Sequence, residues 1–244
     1  MDEARLWTSK TYQEQLADST ILIVGLGGLG SPVVMYLAAN GVGHLILIDS
    51  DCLELTNLQR QILYHSHQID QPKAILAQKQ LQTLNPKVYT TALTQRVDRK
   101  VLETYINTVN VVVDCSDNFA TRFLINNVCV QTGTPLVSGA AVHGQGQISV
   151  FLPAQAHSPC YRCLYDDVDV QTQTCSETGI LAPVVGVIGS LQALEVLKIC
   201  LNLGATLCGK LCIFEAFTLQ WRTLKVFRDP HCPTCSQSNS RKPG

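Results

Sequence analysis

Two Cys-x-x-Cys pairs are the residues whose spacing most directly implies chemistry. Cys160 and Cys163 form the first pair, and Cys232 and Cys235 form the second, with 68 residues between the two pairs. Each pair offers two thiolates to one tetrahedral ion, so the two pairs together complete a four-cysteine zinc site. Because all four positions would be taken by sulfur, such a zinc would tie the chain together and would not activate water. A redox-active dithiol is the alternative interpretation of each pair.

A glycine-rich loop follows an apolar, β-branched run at residues 20–24 and opens a predicted helix. Its glycines are Gly25, Gly27, Gly28 and Gly30. Glycines let the backbone turn tightly and approach a phosphate, whose charge then meets the helix N-terminus. Asp49 ends the next predicted strand 24 residues after Gly25, near the spacing of about 20 that is typical of a ribose-binding acid. These features predict nucleotide binding, and on their own they favour a nicotinamide-dependent oxidoreductase.

Polar residues further along the chain favour a triphosphate instead. They lie on loops after predicted strands and are Asp51, Asn57, Arg60, Lys73, Asp117 and Asn118. The carboxyl ends of parallel strands form the edge at which α/β proteins bind ligands. Two cations with acidic residues suit ATP with Mg²⁺, whereas nicotinamide needs a hydride-facing pocket. An ion pair on the surface is the alternative for any single one of these residues.

Alternating strand and helix patterns must position this chemistry. Apolar strands are predicted at residues 20–24, 44–49, 88–93 and 110–114, with amphipathic helices between them. This alternation predicts an α/β fold with a Rossmann-like, doubly wound and mostly parallel sheet. After residue 152 the pattern changes to a cysteine-containing loop, one long helix and two β-rich stretches, so the C-terminal part is expected to be β-rich and stapled by zinc.

Composition excludes several classes of function. The 244 residues are 46% hydrophobic and 15% charged, which supplies a large core. Eighteen basic and nineteen acidic residues give a net charge of −1, so nothing draws the chain to nucleic acid or to an anionic membrane. The N-terminal residues lack the apolar region of a signal peptide, and stretches such as APVVGVIGS are too short to span a bilayer. We expect a soluble, cytoplasmic protein.

In this order along the chain, the motifs resemble the sulfur-carrier-protein adenylyltransferases of the ThiF/MoeB/HesA family, which are relatives of the ubiquitin-activating enzymes. The matching segments are GLGGLGSP, NLQRQ, QPK, CSDN, CYRC, TCSETG, GSLQALE and CPTC. The resemblance implies that ATP adenylates the C-terminal Gly-Gly of a small β-grasp sulfur carrier protein and releases pyrophosphate. A separate persulfide donor would then supply sulfur for molybdopterin or thiazole synthesis. SGAAVHGQGQISVF and TCSETGILAP slightly favour the molybdopterin carrier.

The resemblance assigns roles around the nucleotide. Gly28 would lie against the phosphates, and Asp49 would bind the ribose hydroxyls. Asn57, Arg60 and Lys73 would contact the triphosphate and stabilise its charge as the carrier carboxylate attacks.

It also assigns the remaining positions. Asp117 would hold Mg²⁺, with Asn118 beside it. The two cysteine pairs match the zinc ligands of the family. Cys175, in a polar loop, matches its reactive cysteine and would act in catalysis or sulfur relay; from spacing alone, an incidental surface cysteine is equally consistent.

The resemblance further implies a homodimer. Family members usually begin with an Arg-Tyr-x-Arg-Gln helix, from which an arginine reaches the partner's ATP. This chain starts about where that helix would end, and Arg5 lies in a different context, so the role is not carried onto it. We expect one domain over residues 1–236, with a nucleotide-binding half (12–152), a zinc- and carrier-binding half (153–236) and a disordered tail (237–244). A degenerate module that binds the carrier with weak activity is the alternative to an active enzyme.

Overall fold

The computed structural model describes residues 10–165 and 179–236. The strands of this part are β1 (Thr20–Val24), β2 (His44–Ile48), β3 (Tyr89–Leu93), β4 (Val111–Asp114), β5 (Leu136–Val142), β6 (Gln145–Phe151), β7 (Lys210–Glu215) and β8 (Gln220–Lys225). Its α-helices are α1 (Lys10–Ala17), α2 (Gly30–Ala39), α3 (Lys73–Leu84), α4 (Arg99–Tyr105), α5 (Phe119–Thr132), α6 (Tyr161–Leu164) and α7 (Ala182–Leu201).

These strands form one sheet in the order β3-β2-β1-β4-β5-β6-β7-β8. Strands β1 to β5 pair in parallel, and β6, β7 and β8 extend the sheet in antiparallel pairs. The chain begins in the middle, winds outward to β3 and then returns to β4. A crevice therefore opens between β1 and β4, where the strand order reverses. The predicted α/β, doubly wound and mostly parallel sheet is confirmed.

The central strands are apolar throughout because both of their faces are covered. Alternate residues of each strand enter opposite cores. Ile21, Leu45 and Val111 join the core beneath α2, α3 and α7. Leu22 and Ile46 join the core beneath α4 and α5. All five are at most 1% exposed, so each strand is fixed between two helical layers and its carboxyl end is held in place.

Helix α7 corrects one expectation from the sequence. APVVGVIGS is the start of this 20-residue helix, which is long and apolar enough to cross a membrane by length and composition. Half of its most apolar window, however, is buried inside the protein, where the helix packs against α2, β5 and β6. The buried Gln192 side chain donates to the Asp114 carbonyl at 2.8 Å, and buried Glu195 accepts from the Leu207 N–H at 2.9 Å. We therefore interpret α7 as the central core helix.

Strand β8 is exposed on both faces. Its alternating sequence, QWRTLK, predicts one buried and one exposed face, but all six residues are exposed. The reason is its position at the edge of the sheet, where its main contact is strand β7. An alternating strand buries one face only where another layer of the protein covers that face. No helix of the described residues covers β8.

Candidate active site and metal centre

A pocket of about 900 Å³ opens at the carboxyl ends of β1, β2 and β4. Its size is in the range of small-molecule sites. Ten of the residues predicted to bind the nucleotide line it: Gly25, Gly27, Gly28, Asp49, Asp51, Asn57, Arg60, Lys73, Asp117 and Asn118. The fold thus brings together residues from three separate connections, those between β1 and α2, β2 and α3, and β4 and α5. Gly30, the remaining predicted glycine, does not line the pocket.

Gly25 and Gly30 shape the turn from β1 into α2. Gly25 has a φ of +91°, which L-residues with side chains rarely adopt. A Cβ at Gly30 would lie 2.1 Å from the Gly25 carbonyl oxygen, a distance that no side chain can accept. The two glycines therefore allow the tight turn that places the N-terminus of α2 at the base of the pocket. This position suits the charge of a phosphate.

Gly28 has a packing role that its sequence position did not indicate. A Cβ there would lie 2.9 Å from Cγ2 of Val185, in the first turns of α7. Gly28 therefore lets α7 pack directly against the glycine loop. The loop is held between α7 on one side and the residue at the end of β2 on the other.

That residue is Asp49, whose carboxylate braces the loop. One carboxylate oxygen accepts from the Leu26 N–H at 2.7 Å, and the other accepts from the Asp51 N–H at 2.8 Å. Burial raises the pKa of Asp49, and the two backbone donors and nearby Lys73 act in the opposite direction. Each oxygen accepts one of these bonds and keeps a second lone pair for a ligand hydroxyl. Asp49 therefore both shapes the loop and lines the pocket.

Lys73 brings a buried positive charge to the pocket. It is the first residue of α3, and its side chain is 6% exposed, whereas that of its ion-pair partner Asp51 is 67% exposed. The Nζ–Oδ2 distance is 3.3 Å. Water screens the exposed carboxylate, so the ammonium is only partly offset and attracts a phosphate. The Tyr64 hydroxyl donates to the Leu26 carbonyl at 2.9 Å and lies 3.4 Å from the Lys73 carbonyl, which ties α3 to the glycine loop.

Asn57 and Arg60 lie on and just after a 3₁₀ helix, Leu55–Asn57, at one side of the pocket. The Asn57 side-chain oxygen accepts from the Glu54 N–H at 3.2 Å, which fixes the start of this turn. The Arg60 guanidinium donates to the Thr56 carbonyl at 3.2 Å. A guanidinium with one donor engaged keeps further donors for a phosphate oxygen.

Asp117 and Asn118 lie on the loop between β4 and α5. Asn118 caps α5, since its side-chain oxygen accepts from the Thr121 N–H at 2.9 Å. Its amide donates to the Asp117 carboxylate at 3.3 Å, which orients that exposed carboxylate toward the pocket it lines. A carboxylate at a triphosphate site is the ligand type that Mg²⁺ prefers. The geometry is thus compatible with Mg²⁺ beside a nucleotide.

Two buried charged residues, Asp114 and Arg122, fix the loop between β4 and α5 through hydrogen bonds with Ser116. Asp114 is fully buried, and its carboxylate accepts from the Ser116 N–H at 3.0 Å and the Ser116 hydroxyl at 2.6 Å. Burial raises the pKa of Asp114, which the positive charge of Arg122 partly opposes. Arg122 donates to the Ser116 carbonyl at 2.8 Å and also lines the pocket. Neither residue was singled out from the sequence, because their roles depend on contacts with Ser116.

The four predicted zinc ligands form one cluster. The Sγ–Sγ distances are 3.7 Å for Cys160–Cys232, 3.9 Å for Cys160–Cys163 and 3.5 Å for Cys163–Cys235. All four sulfur atoms lie within 4.8 Å of one another. Zn–S bonds of about 2.3 Å place tetrahedral sulfurs about 3.8 Å apart, whereas a disulfide requires about 2.0 Å. The cluster therefore fits a tetrahedral metal.

The surroundings of the cluster favour a thiolate at Cys163, whereas neighbouring sulfurs and burial raise the pKa values of Cys160 and Cys235. The backbone N–H groups of Cys160 and Asp229 point to the Cys163 sulfur at 3.5 and 3.4 Å. Hydrogen bonding with Cys160, followed by these N–H groups, lowers the pKa of Cys163 to about 5. The Asn126 amide on α5 lies 3.6 Å from the Cys160 sulfur. Cys232 and Cys235, which follow β8, are thereby tied to α5 and α6.

Cys175, Arg5 and the tail at 237–244 lie outside the described residues. Other lining residues were not predicted, although the sequence held a signal for two of them. Gln95 and Arg96 follow strand β3, and the strand-end rule that identified Asp117 would also have identified them. Gln61 directly follows Arg60 in the NLQRQ segment. No local pattern indicated Tyr64, which does not line the pocket but donates to the Leu26 carbonyl of the glycine loop.

The sequence pattern of the ThiF family matches residues 3–234. The chain is 45% identical over 228 residues to the sulfur carrier protein ThiS adenylyltransferase of Escherichia coli K12, covering 93% of this chain and 90% of that protein. It is 44% identical over 225 residues to the molybdopterin-synthase adenylyltransferase of the same strain, covering 92% and 90%.

Among solved structures, the fold is similar to that of E. coli MccB determined with ATP. The TM-score is 0.80, and the alignment covers 92% of this chain and 68% of that one. Sequence identity is 23%, so this likeness concerns the fold alone.

Proposed function

Because the chain belongs to the ThiF family, we propose that it uses ATP to adenylate the C-terminal glycine of a small ubiquitin-like sulfur carrier protein. The observation that carries this proposal is the pocket at the β1/β4 crevice, which combines a glycine loop with cationic and acidic side chains. Two of the relatives are named as adenylyltransferases, one of the carrier ThiS and one of molybdopterin synthase. Both are aligned over nine tenths of their length.

The charges of the pocket suit this reaction. Four cationic side chains line its described part: Arg60, Lys73, Arg96 and Arg122. In our proposal, Arg60 and Lys73 contact the triphosphate, and their charge offsets that of the α-phosphate as a carboxylate attacks it. Asn57 positions the phosphates and Asp49 binds the ribose. Asp117, with Asn118 beside it, would hold Mg²⁺, which when bound reduces the repulsion between triphosphate and carboxylate.

Carrier-dependent ATP–pyrophosphate exchange tests this function. We expect exchange only when a carrier ending in Gly-Gly is present, and none with a matched carrier that lacks its last glycine. Carrier binding without exchange would favour a degenerate binding module. If the protein catalyses no exchange with any carrier and binds NAD, the oxidoreductase would be favoured.

The identity of the carrier is a separate question. The thiamine-type and molybdopterin-type relatives are 45% and 44% identical to the chain, so similarity favours neither. The molybdopterin-type carrier therefore stays a prediction, and exchange assays with each carrier in parallel decide it. The carrier with the higher kcat/KM is the substrate.

Exposed apolar side chains next to the pocket support a protein substrate. Phe217 and Leu219, in the turn between β7 and β8, are 77% and 75% exposed. Phe217 packs so closely on Gly144 that a Cβ there would lie 2.4 Å from its ring. Gly144 is in the turn that follows β5, whose residue Ala141 lines the pocket. A carrier seated on this surface would have its tail close to the pocket. We propose that surface as the carrier site.

We further propose that the four-cysteine cluster binds zinc. A tetrahedral ion with four sulfur ligands has no open position for chemistry, so its contribution is a fixed cross-link between the chain after β8 and helices α5 and α6. We also propose that the chain is one domain with two halves, a nucleotide-binding half over residues 12–152 and a zinc- and carrier-binding half over residues 153–236.

A homodimer, a separate persulfide donor and a cytoplasmic location complete the proposal. None of the ten cysteines of the described residues forms a disulfide, in keeping with a reducing compartment. Size-exclusion chromatography with light scattering measures the oligomeric state, and a dimer is expected.

Cys175 is proposed to act after adenylation. This proposal rests on the match between the TCSETG segment and the reactive cysteine of the family. Cys175→Ala should keep the wild-type exchange rate, because pyrophosphate leaves before any thiol step. It should lose covalent carrier adducts or sulfur transfer, measured by non-reducing gels and thiocarboxylate mass. Cys52→Ala, an exposed cysteine elsewhere, is the control. Normal thiocarboxylate formation by Cys175→Ala would contradict the role.

A further inference from the structure

Gln61 is a buried polar residue in the lining of the nucleotide pocket. It is 3% exposed. Its backbone N–H donates to the Asn57 carbonyl at 3.0 Å, and its carbonyl accepts from the Tyr64 N–H at 3.2 Å. The main chain therefore holds Gln61 between the turn that carries Asn57 and the tyrosine that braces the glycine loop.

The side-chain oxygen of Gln61 has no hydrogen-bond partner among residues 10–165 and 179–236. Buried polar atoms are almost always paired, because an unpaired one destabilises the fold. Gln68 shows the usual arrangement in the same segment. It is buried too, and its side-chain oxygen accepts from the His65 N–H at 2.8 Å. The Gln61 oxygen is thus an unpaired acceptor on a side chain that lines the nucleotide pocket.

The position of the carboxamide limits the kind of group that can pair with it. Its nitrogen would lie 3.4 Å from a Cβ built at Gly27, so the amide lies beside the glycine loop. Arg60, the preceding residue, belongs to the proposed phosphate contacts. Phosphate oxygens are acceptors and cannot donate to another oxygen. The donors of a nucleotide are its ribose hydroxyls and adenine amino group, and in the proposed arrangement Asp49 holds the ribose.

We propose that Gln61 binds the C-terminal tail of the carrier protein, its side-chain oxygen accepting a hydrogen bond from a backbone N–H of the Gly-Gly segment. This inference rests on the proposed function. The tail must bring its carboxylate to the α-phosphate, and its glycines offer only N–H and C=O groups for recognition. A carboxamide matches a peptide group because it accepts through oxygen and donates through nitrogen. Gln61 would thus select a flat, side-chain-free tail at the phosphate side of the pocket.

Gln61→Met tests the inference, because methionine has a similar shape and neither accepts nor donates like an amide. We expect the KM for the carrier in ATP–pyrophosphate exchange to rise about tenfold, the change for one lost hydrogen bond of ordinary strength. The KM for ATP should be unchanged. The melting temperature of the ligand-free protein should be unchanged or higher, since an unpaired acceptor is removed. Gln68→Met is the matched control: it should lower the melting temperature and leave the carrier KM unchanged.

Three outcomes would overturn the inference. A higher KM for ATP with an unchanged carrier KM would place the donor on the nucleotide. Unchanged KM values for both would indicate that water pairs with the oxygen. A lower melting temperature with unchanged KM values would make Gln61 a structural residue. All three require wild-type protein that exchanges pyrophosphate with the carrier, and wild-type protein without exchange would instead overturn the proposed function and with it this inference.

Discussion

Asp117→Asn should lower carrier-dependent pyrophosphate exchange by about 10²–10³-fold, the effect typical of losing one charged contact at a reacting phosphate or oxyanion. The substitution keeps the shape of the side chain and its hydrogen bond from Asn118. It removes the negative charge that we propose binds Mg²⁺. Because Asp117 is exposed, folding should be unaffected. Exchange at saturating ATP and a melting curve measure the two effects separately.

The matched control for this variant is Asp18→Asn, an exposed aspartate outside the pocket lining. It should exchange pyrophosphate at the wild-type rate. Excess Mg²⁺ should restore part of the Asp117→Asn activity, since weakened metal binding is compensated by mass action. Wild-type exchange by Asp117→Asn at limiting Mg²⁺ would contradict the assignment.

Cys232→Ser should remove the metal and much of the stability. The wild-type protein is expected to contain about one zinc per chain and the variant close to none. The free energy of unfolding should fall by several kcal/mol, because zinc binding contributes about 10–16 kcal/mol to the folding of small zinc domains. Elemental analysis and chemical denaturation measure these changes. Cys232 is fully buried within the cluster, whereas Cys52 is exposed elsewhere, so Cys52→Ser should change neither quantity.

Hydrogen exchange locates the effect of metal loss. The cluster fixes the chain that follows β8, so amides of β7 and β8 should exchange faster in Cys232→Ser before those of β1 and β2 do. A variant that retains one zinc per chain would show that the four thiols are not the ligands. Faster exchange that begins in the central strands would contradict the cross-link role.

The sequence was sufficient to predict the sheet and ten of the polar and glycine residues that line the pocket. Runs such as residues 20–24 are apolar at every position, and such runs are buried on both faces in a parallel sheet. Polar residues directly after these runs must then lie at one edge, which is why Asp49 and Asp117 were found. The position of a loop residue can therefore be predicted when it directly follows a buried strand.

Contacts between distant segments could not be predicted in this way. The close approach of Gly28 to Val185 depends on how α7 packs across the sheet, and the bond from Arg122 to the Ser116 carbonyl depends on the turn after β4. The exposure of both faces of β8 depends on whether another element packs over this edge strand, which the local sequence does not determine. A residue such as Gln61 is recognisable only when its partners can be counted, because its importance lies in an unpaired atom.

The most direct test of the central claim is the mass of the carrier after incubation with the enzyme, ATP and Mg²⁺. We predict that the intact mass increases by one AMP, that the adduct maps to the terminal glycine, and that hydroxylamine removes it as expected for an acyl-adenylate. A carrier that lacks the final glycine should stay unmodified. An intact carrier of unchanged mass under conditions in which it binds the enzyme would contradict the account.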